Sequence, residues 1–400
     1  MRITLYHNLP SGGAKRSQYE KIVRLAKKHE IHVETLTSAN HDFADIRPLV
    51  HQYTQHPFQS SRMLKSPFGR LNPLLRWVDL ERLERVDKKI AQQIEQKQTD
   101  ILFANPCRFQ GTPSVLRHLK GVPKVYYCHE PLRILYEKMP YRPYYPPKNG
   151  LRQLLKKVDP LPGIYNARLK ENDQENIKQA DLVLVNSKYI QRQVWEIYGV
   201  EAQVCYLGVD AGLFRPLNVP REYAVLSVGS LTPLKGFDFV IRALALIPKS
   251  ERPRYWIASN FSNSPEYKYL TELALDLGVD VEFHGNISDE RLVSFYNRAA
   301  VTAYAPVREP FGLVALESMA CATPVVGVRE GGLLETIEDG QNGRLTERDE
   351  NEYADAIYTL LTQPDLAREY GENGRRQVLD KWTWRSAAEQ LEQNFRKVLA

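Results

Sequence analysis

Two glutamates, Glu309 and Glu317, stand with seven residues between them in the otherwise apolar segment "REPFGLVALESMACATPVV" (308–326). A carboxylate on a buried helix face is costly unless it is hydrogen-bonded. Glu317, about two turns into the helix this segment predicts, therefore needs a cation or hydroxyl donors. The paired hydroxyls of a ribose would serve; a buried Glu–Arg pair is the purely structural alternative. Glu309 falls in the loop that delivers the helix, where it can reach a ligand. Pro310 fits the first helical position and pushes Glu309 out of the α region. The amides of Phe311, Gly312 and Leu313 are then donors without intrahelical partners, suited to an anion.

Two further strand-to-helix junctions have the same character. In "NLPSGGAKR", Gly12 and Gly13 let backbone approach a ligand closely at a helix start. In "VGSLTPLKGFDF", Gly229 ends a strand and Lys235 with Gly236 precedes the next helix, placing a cation where a phosphate would sit. Each loop alone reads equally well as turn punctuation; three in one chain point to an anionic ligand. No GxGxxG occurs, which argues against a nicotinamide or flavin site.

The elements that must carry these loops alternate short β-branched runs with amphipathic helical patterns. This predicts parallel sheets covered by helices, in an α/β fold of two Rossmann-like doubly wound domains facing a central cleft. Strands are expected at "RITLYHNLP", "HEIHVETLT", "DILFANP", "KVYYCHE" and "ADLVLVNS". In the second half they are expected at "EYAVLSVGS", "RYWIASN", "DVEFHGN", "AVTAYAP" and "TPVVGV". Helices are expected at "SGGAKRSQYEKIVRLAKK" and "VDLERLERVDKKIAQQIEQ". Glycine and two prolines in 205–223 mark the seam, and domains are assigned to 1–203 and 204–380, with a closing helical segment at 381–400. In such sheets ligands bind beyond the carboxyl ends of the strands.

Composition narrows the class. The chain has 400 residues, 43% hydrophobic and 26% charged, as in an ordinary globular protein. No apolar run approaches membrane-spanning length, and the N-terminus enters a strand with no signal-peptide core. Cys107, Cys128, Cys205 and Cys321 are scattered, against a disulfide framework or zinc site and in keeping with a cytoplasmic protein. Residues 1–200 carry 33 Lys and Arg against 19 Asp and Glu, so this half should seek anionic partners. Its basic, aromatic stretches 60–77 and 141–157 read either as surfaces that rest on anionic lipid or as solvated basic loops. No nucleic-acid-binding module is recognisable.

At this point "EPFGLVALESMACATPVVGVREGGLLETIEDGQNGRL" resembles the signature of the retaining family 4 glycosyltransferases, which have the GT-B fold, and Glu309 and Glu317 match their E-x7-E motif. "VGSLTPLKGFDFVIRAL", "FHGNISDERLVSFYNRA" and "NSKYIQRQV" are similar to the same family's pattern. The resemblance implies that Glu309 holds hydroxyls of the transferred sugar and Glu317 the nucleotide ribose. It implies that Lys235, with the amides of Phe311, Gly312 and Leu313, binds the diphosphate or sugar, that Gly12 and Gly13 approach it from the other domain, and that Asn286 and Ile287 lie near the base. "YYCHEPLRILYE" resembles the acceptor-side segment of mannosyltransferase-like members, with His129 towards the donor sugar and Glu130 and Arg133 in the acceptor pocket. His129 also reads as a plain core histidine at a strand end. The closing helix would cross back to the first domain. Ser230 stands where the family commonly has an arginine, leaving Lys235, with Arg308 or Arg329, to neutralise the leaving diphosphate.

The expected reaction is transfer, with retention, of a sugar from a GDP- or UDP-sugar to a glycan or lipid-linked acceptor. The diphosphate would be stabilised by pre-aimed donors. No Asp-x-Asp lies beside these loops, so no metal and no cofactor beyond the co-substrate is expected. A nucleotide-sugar epimerase, or a catalytically silent sugar-nucleotide binder favoured by Ser230, are the competing classes.

Overall fold

The computed structural model describes residues 1–65, 68–145, 159–259 and 264–400. The chain divides into two compact units. The first holds the described residues of Met1–Lys138, Pro146–Tyr206 and Ala387–Ala400; the second holds those of Met139–Tyr145 and Leu207–Ser386. Nothing in the sequence announces that Met139–Tyr145, flanked on both sides by first-unit chain, packs with the second.

In the first unit, β1 (Arg2–Asn8), β2 (Glu30–Leu36), β3 (Gln52–His56), β4 (Ile101–Cys107), β5 (Lys124–Cys128), β6 (Leu182–Val185) and β7 (Ala202–Val204) form one sheet. Its order is β3-β2-β1-β4-β5-β6-β7, and every neighbouring pair is parallel. In the second unit, β8 (Glu222–Val228), β9 (Arg254–Ser259), β10 (Val281–Gly285), β11 (Ala299–Tyr304), β12 (Val325–Val328) and β13 (Gly343–Thr346) form another. Its order is β10-β9-β8-β11-β12-β13, again wholly parallel. Each order reverses once, between β1 and β4 and between β8 and β11, which marks a topological switch point in each unit.

All ten expected strands are present: nine are central strands, which read as apolar runs when buried on both faces, and the tenth, β10, is a partly buried edge strand. Ile3, Leu5, Ile101, Phe103 and Val125 line the first sheet, and Val225, Leu226, Ile257, Val301 and Val326 the second, all inaccessible to solvent or nearly so. The three additional strands, β3 (QYTQH), β7 (AQV) and β13 (GRLT), are all at sheet edges. Edge strands need not be apolar, and these are short runs without a continuous apolar stretch. The second expected helix starts earlier, at Asn72, where Pro73 enters its first turn. The final helix, Trp384–Leu399, buries Ala387, Ala388, Leu391 and Phe395 along one stripe. Phe395 meets Phe103 of β4 at 5.3 Å between ring centroids.

Among the described residues no helix is long and apolar enough to cross a membrane. In the stretch 60–77, Met63, Leu64, Phe68, Leu71 and Leu74 are exposed. Most of the stretch 141–157 lies outside the described residues; within it Arg142 is buried and ion-paired, not presented to a surface.

Candidate functional site

The second unit brings together the loops that follow β8 and β11, the two strands flanking its switch point. Lys235 Nζ reaches Glu309 Oε2 at 2.9 Å, joining the loops by charge. The Val307 N–H donates to Leu234 O at 2.8 Å, joining them by backbone. Such close approach needs Gly236: its φ is +66°, and a Cβ there would stand 2.0 Å from Ala305 O. The Lys235 stem in turn lies against Gly229.

The Glu309 loop is held from behind by groups the sequence reading did not single out. Arg348 binds Glu330 (Nε–Oε1 2.6 Å) and donates to Ala305 O and Pro306 O at 3.1 and 2.7 Å. Glu330 accepts from the Arg308 N–H at 3.1 Å, and Arg308 takes a φ of +49°. The Gly332 N–H donates to Glu309 O at 2.8 Å. The double glycine after Glu330 was the available signal, because two adjacent residues without Cβ permit contact between backbones.

One expectation is corrected here. Pro310 is not the first helical residue: the helix is Leu313–Ala320, with Gly312 as N-cap at φ +108°. A left-handed glycine at the cap delays the helix past "EPF", so the donors without intrahelical partners begin at Gly312 and Leu313 and extend to Val314, while Phe311 precedes them. Phe311 is instead a core residue, packed on Trp382 at 5.6 Å. The helix's far end is fixed by Arg375, donating to Ala320 O at 2.8 Å, and Arg221, donating to Ala322 O at 2.7 Å.

Glu317 is half-buried and accepts from the Tyr296 hydroxyl at 2.8 Å. Its charge and that of Glu309 both act on Tyr304, at the end of β11. Burial first, then Glu309 and Glu317, raise the Tyr304 hydroxyl well above its ordinary range. The two carboxylates are therefore gathered around one strand end. Tyr296 and Tyr304 escaped the sequence reading because tyrosines in apolar runs read as core. Ser230 is exposed on the β8 loop, and Asn286, at φ +49°, and Ile287 follow β10. The Arg308 backbone N–H is held by Glu330, and Arg329 pairs through its side chain with Asp339 at 2.8 Å and Glu347 at 3.4 Å.

In the first unit, Gly12 is the N-cap of helix Gly13–Leu25, which follows β1 at that unit's switch point. His129 follows β5, is 8% exposed, and its Nε2 lies 3.3 Å from Asn105 Oδ1. Its ring rests on Tyr127 at 4.7 Å, and Lys21 Nζ stands 3.4 Å above the same tyrosine ring. Burial, then the Lys21 charge, hold His129 well below the usual histidine range, so it is neutral at physiological pH. Burial brings the Lys21 and Lys15 ammoniums down to about 8. Arg133 is paired with Glu137 at 2.8 Å, and Glu130 is exposed beside it. Buried Gln18, Ser17 Oγ and Asn105 Nδ2 have no hydrogen-bond partner among the described residues. Lys15, Gln18 and Lys21 lie with Ile22 and Leu25 among the buried positions of one helix, a polar intrusion that was legible but not singled out.

Neutral, buried His129 and His7 have a thermodynamic consequence. Below about pH 6.5 the unfolded chain gains protons that the folded chain does not, so stability falls as pH drops through that value. Each histidine contributes up to about 1.4 kcal/mol per pH unit. Urea unfolding between pH 5 and 8 should show this slope, reduced in His129→Gln.

Residues 11–213, just over half of the chain, match the model of Glycosyltransferase Family 4, and residues 213–377 match that of Glycosyl transferases group 1. The chain is 37% identical over 243 residues to the D-inositol 3-phosphate glycosyltransferase of Acidothermus cellulolyticus, covering 52% of this chain and 54% of that protein. It is 31% identical over 205 residues to the MMP alpha-(1->4)-mannosyltransferase of Mycolicibacterium hassiacum, covering 50% and 49%. The matches thus span about half the length of these curated relatives. Sucrose-phosphate synthase from Thermosynechococcus elongatus shares the fold over 99% of this chain and 98% of its own, at a TM-score of 0.75 and 22% identity. Anabaena HepE, solved with UDP and glucose, does so over 99% of each chain at 0.73 and 20%.

Proposed function

Because the chain belongs to glycosyltransferase family 4 and has its GT-B fold, we propose that it transfers a sugar from a nucleotide-diphosphate sugar to a glycan or lipid-linked acceptor with retention of configuration. The observation that carries this reading is the Lys235–Glu309 pair across the second switch point, beside the N-terminus of the Glu317 helix. A cation and a set of helix amides there suit a diphosphate. Glu309 would take hydroxyls of the transferred sugar and Glu317 the ribose, beside the hydroxyls of Tyr304 and Tyr296. In the first unit, neutral His129 would face the donor sugar, while the Gln18 amide and Asn105 Nδ2, without hydrogen-bond partners among the described residues, suit a polyhydroxylated acceptor.

In the reaction, the bond between the sugar's anomeric carbon and the diphosphate oxygen breaks as the acceptor hydroxyl bonds to that carbon from the same face. The hydroxyl's proton passes to the departing phosphate oxygen. Lys235 and the amides of Gly312–Val314 balance the charge that builds on the diphosphate, so no metal is called for. A UDP-sugar is favoured by the likeness to HepE, and a mannosyl donor by the second curated relative. Exposed Met63, Leu64, Phe68 and Leu74, beside Arg62 and Lys65, support peripheral contact of the first unit with an anionic bilayer, which flotation with anionic vesicles decides.

The test is a thermal-shift panel of UDP, GDP, ADP and TDP, with EDTA present. A ligand at 100 times its dissociation constant adds about 2.7 kcal/mol to stability. One nucleotide should stabilise the wild type and lose that effect in Glu317→Ala. Equal stabilisation of the two proteins would remove Glu317 from the ribose site; no stabilisation at all would overturn the donor site.

A further inference from the structure

The segment Met139–Tyr145 continues directly from the His129–Glu137 stretch of the first unit, yet it packs with the second unit. Its anchor is Arg142, only 4% exposed. The guanidinium binds Glu266 through Nε (3.0 Å to Oε2) and Nη2 (3.0 Å to Oε1), and Nη2 also binds Asp238 Oδ1 at 2.9 Å. The Tyr144 hydroxyl donates to Glu266 as well, and the guanidinium carbon lies 5.1 Å from the Tyr269 ring centroid.

The partners' positions give this cluster its meaning. Asp238 is in the first turn of helix Phe237–Leu246, three residues after Lys235, and Glu266 is in the first turn of helix Pro265–Leu277. One guanidinium thus ties together the starts of two helices, one of which begins where the Lys235 turn ends. Arg142 and Arg348 line one open pocket of about 230 Å³ together with Pro233, Gly236 and Val307 of the two loops. Arg348 holds the Glu309 loop through Ala305 O and Pro306 O. Arg142 holds the Lys235 turn through Asp238. A buried ion pair contributes little net stability compared with apolar packing of the same volume, but it fixes orientation through its fork geometry.

We propose that Arg142 is a positioning residue for the transfer: through Asp238 it fixes the turn that sets Lys235 against Glu309. The role of Lys235 here rests on the transferase reading; the clamp itself does not.

The test uses the full chain carrying Arg142→Met, Arg142→Lys, Asp238→Asn and Lys235→Met, with UDP-glucose and GDP-mannose as donors. Because small misplacement of a catalytic group can cost about 10²-fold, Arg142→Met and Asp238→Asn should lower kcat by up to about that factor while leaving the donor KM unchanged. Arg142→Lys should recover part of the loss. In the Lys235→Met background, Arg142→Met should cost nothing further, since its effect runs through the absent lysine. Losses that multiply, or an unchanged kcat, would overturn the inference. Asp238→Asn keeps the Arg142–Glu266 pair and so remains informative if Arg142→Met does not fold. Hydrogen exchange at the amides of Leu234–Asp238 supplies a readout independent of turnover. Asp238→Asn should speed it while β9 exchange stays unchanged, and unaltered exchange in the turn overturns the clamp. If none of UDP, GDP, ADP and TDP stabilises the wild type but the turn loosens, the donor-site reading has failed and the clamp stands.

Discussion

Lys235→Met should lower kcat by about 10²–10³-fold with little change in folding stability, the usual cost of removing one pre-aimed donor from developing charge. The reasoning is electrostatic. The ammonium is held at 2.9 Å from Glu309, with its stem along Gly229 and its turn stapled to the β11 loop through Leu234 and Val307. The charge is therefore fixed before any diphosphate arrives, and no reorganisation accompanies bond breaking. Methionine keeps the stem's packing and deletes the charge. Ser230 sharpens the expectation, because that position adds no second cation, while Arg329 is committed to Asp339 and Glu347. Steady-state kinetics with the donor nucleotide chosen by thermal shift would check it. A loss under tenfold would mean that the helix amides alone carry the diphosphate.

Gly331→Ala should destabilise the second unit and impair transfer together. Gly331 has φ +61°, and a Cβ there would stand 2.3 Å from Glu309 O and 2.9 Å from Glu309 N. Both are backbone atoms, so no rotamer change relieves the clash. The left-handed conformation costs alanine roughly 1–2 kcal/mol, and losing the Gly332 N–H to Glu309 O bond adds about 1 kcal/mol. A total on the order of 3 kcal/mol corresponds to a fall in Tm of roughly 10 °C for a unit of this size. Gly340→Ala is the matched control: its φ is +74°, but nothing lies within 4 Å of its Cβ. It should show the conformational cost alone and retain kcat. Equal effects of the two substitutions would remove the cradle beneath Glu309 from the explanation.

Much of this was written locally. Strands buried on both faces announce themselves as apolar runs, so the nine central strands and the two parallel α/β halves were readable from pattern, and edge strand β10 from its Val281 and Phe283 alternation. Glycine and proline punctuation located the loops after β1, β8 and β11, and an isolated carboxylate in an apolar helix marked Glu317. Edge strands β3, β7 and β13 were not readable, because a strand paired on one side need not be apolar. The late start of the Glu317 helix was missed because Pro310 and Gly312 send competing signals, and the left-handed cap at Gly312 prevailed.

The sequence by itself determined which loops carry charge and which amides can bind an anion, since those follow from residue type and chain-neighbour geometry. Only the tertiary structure decided what each charge faces. That Lys235 meets Glu309, that Arg348 and Glu330 brace the Glu309 loop, and that Arg142 reaches Asp238 and Glu266 are all contacts between residues distant in the chain. Parallel strands can be joined only through crossovers, so neighbours at a switch point are separated by whole helices and strands, beyond the reach of any local pattern.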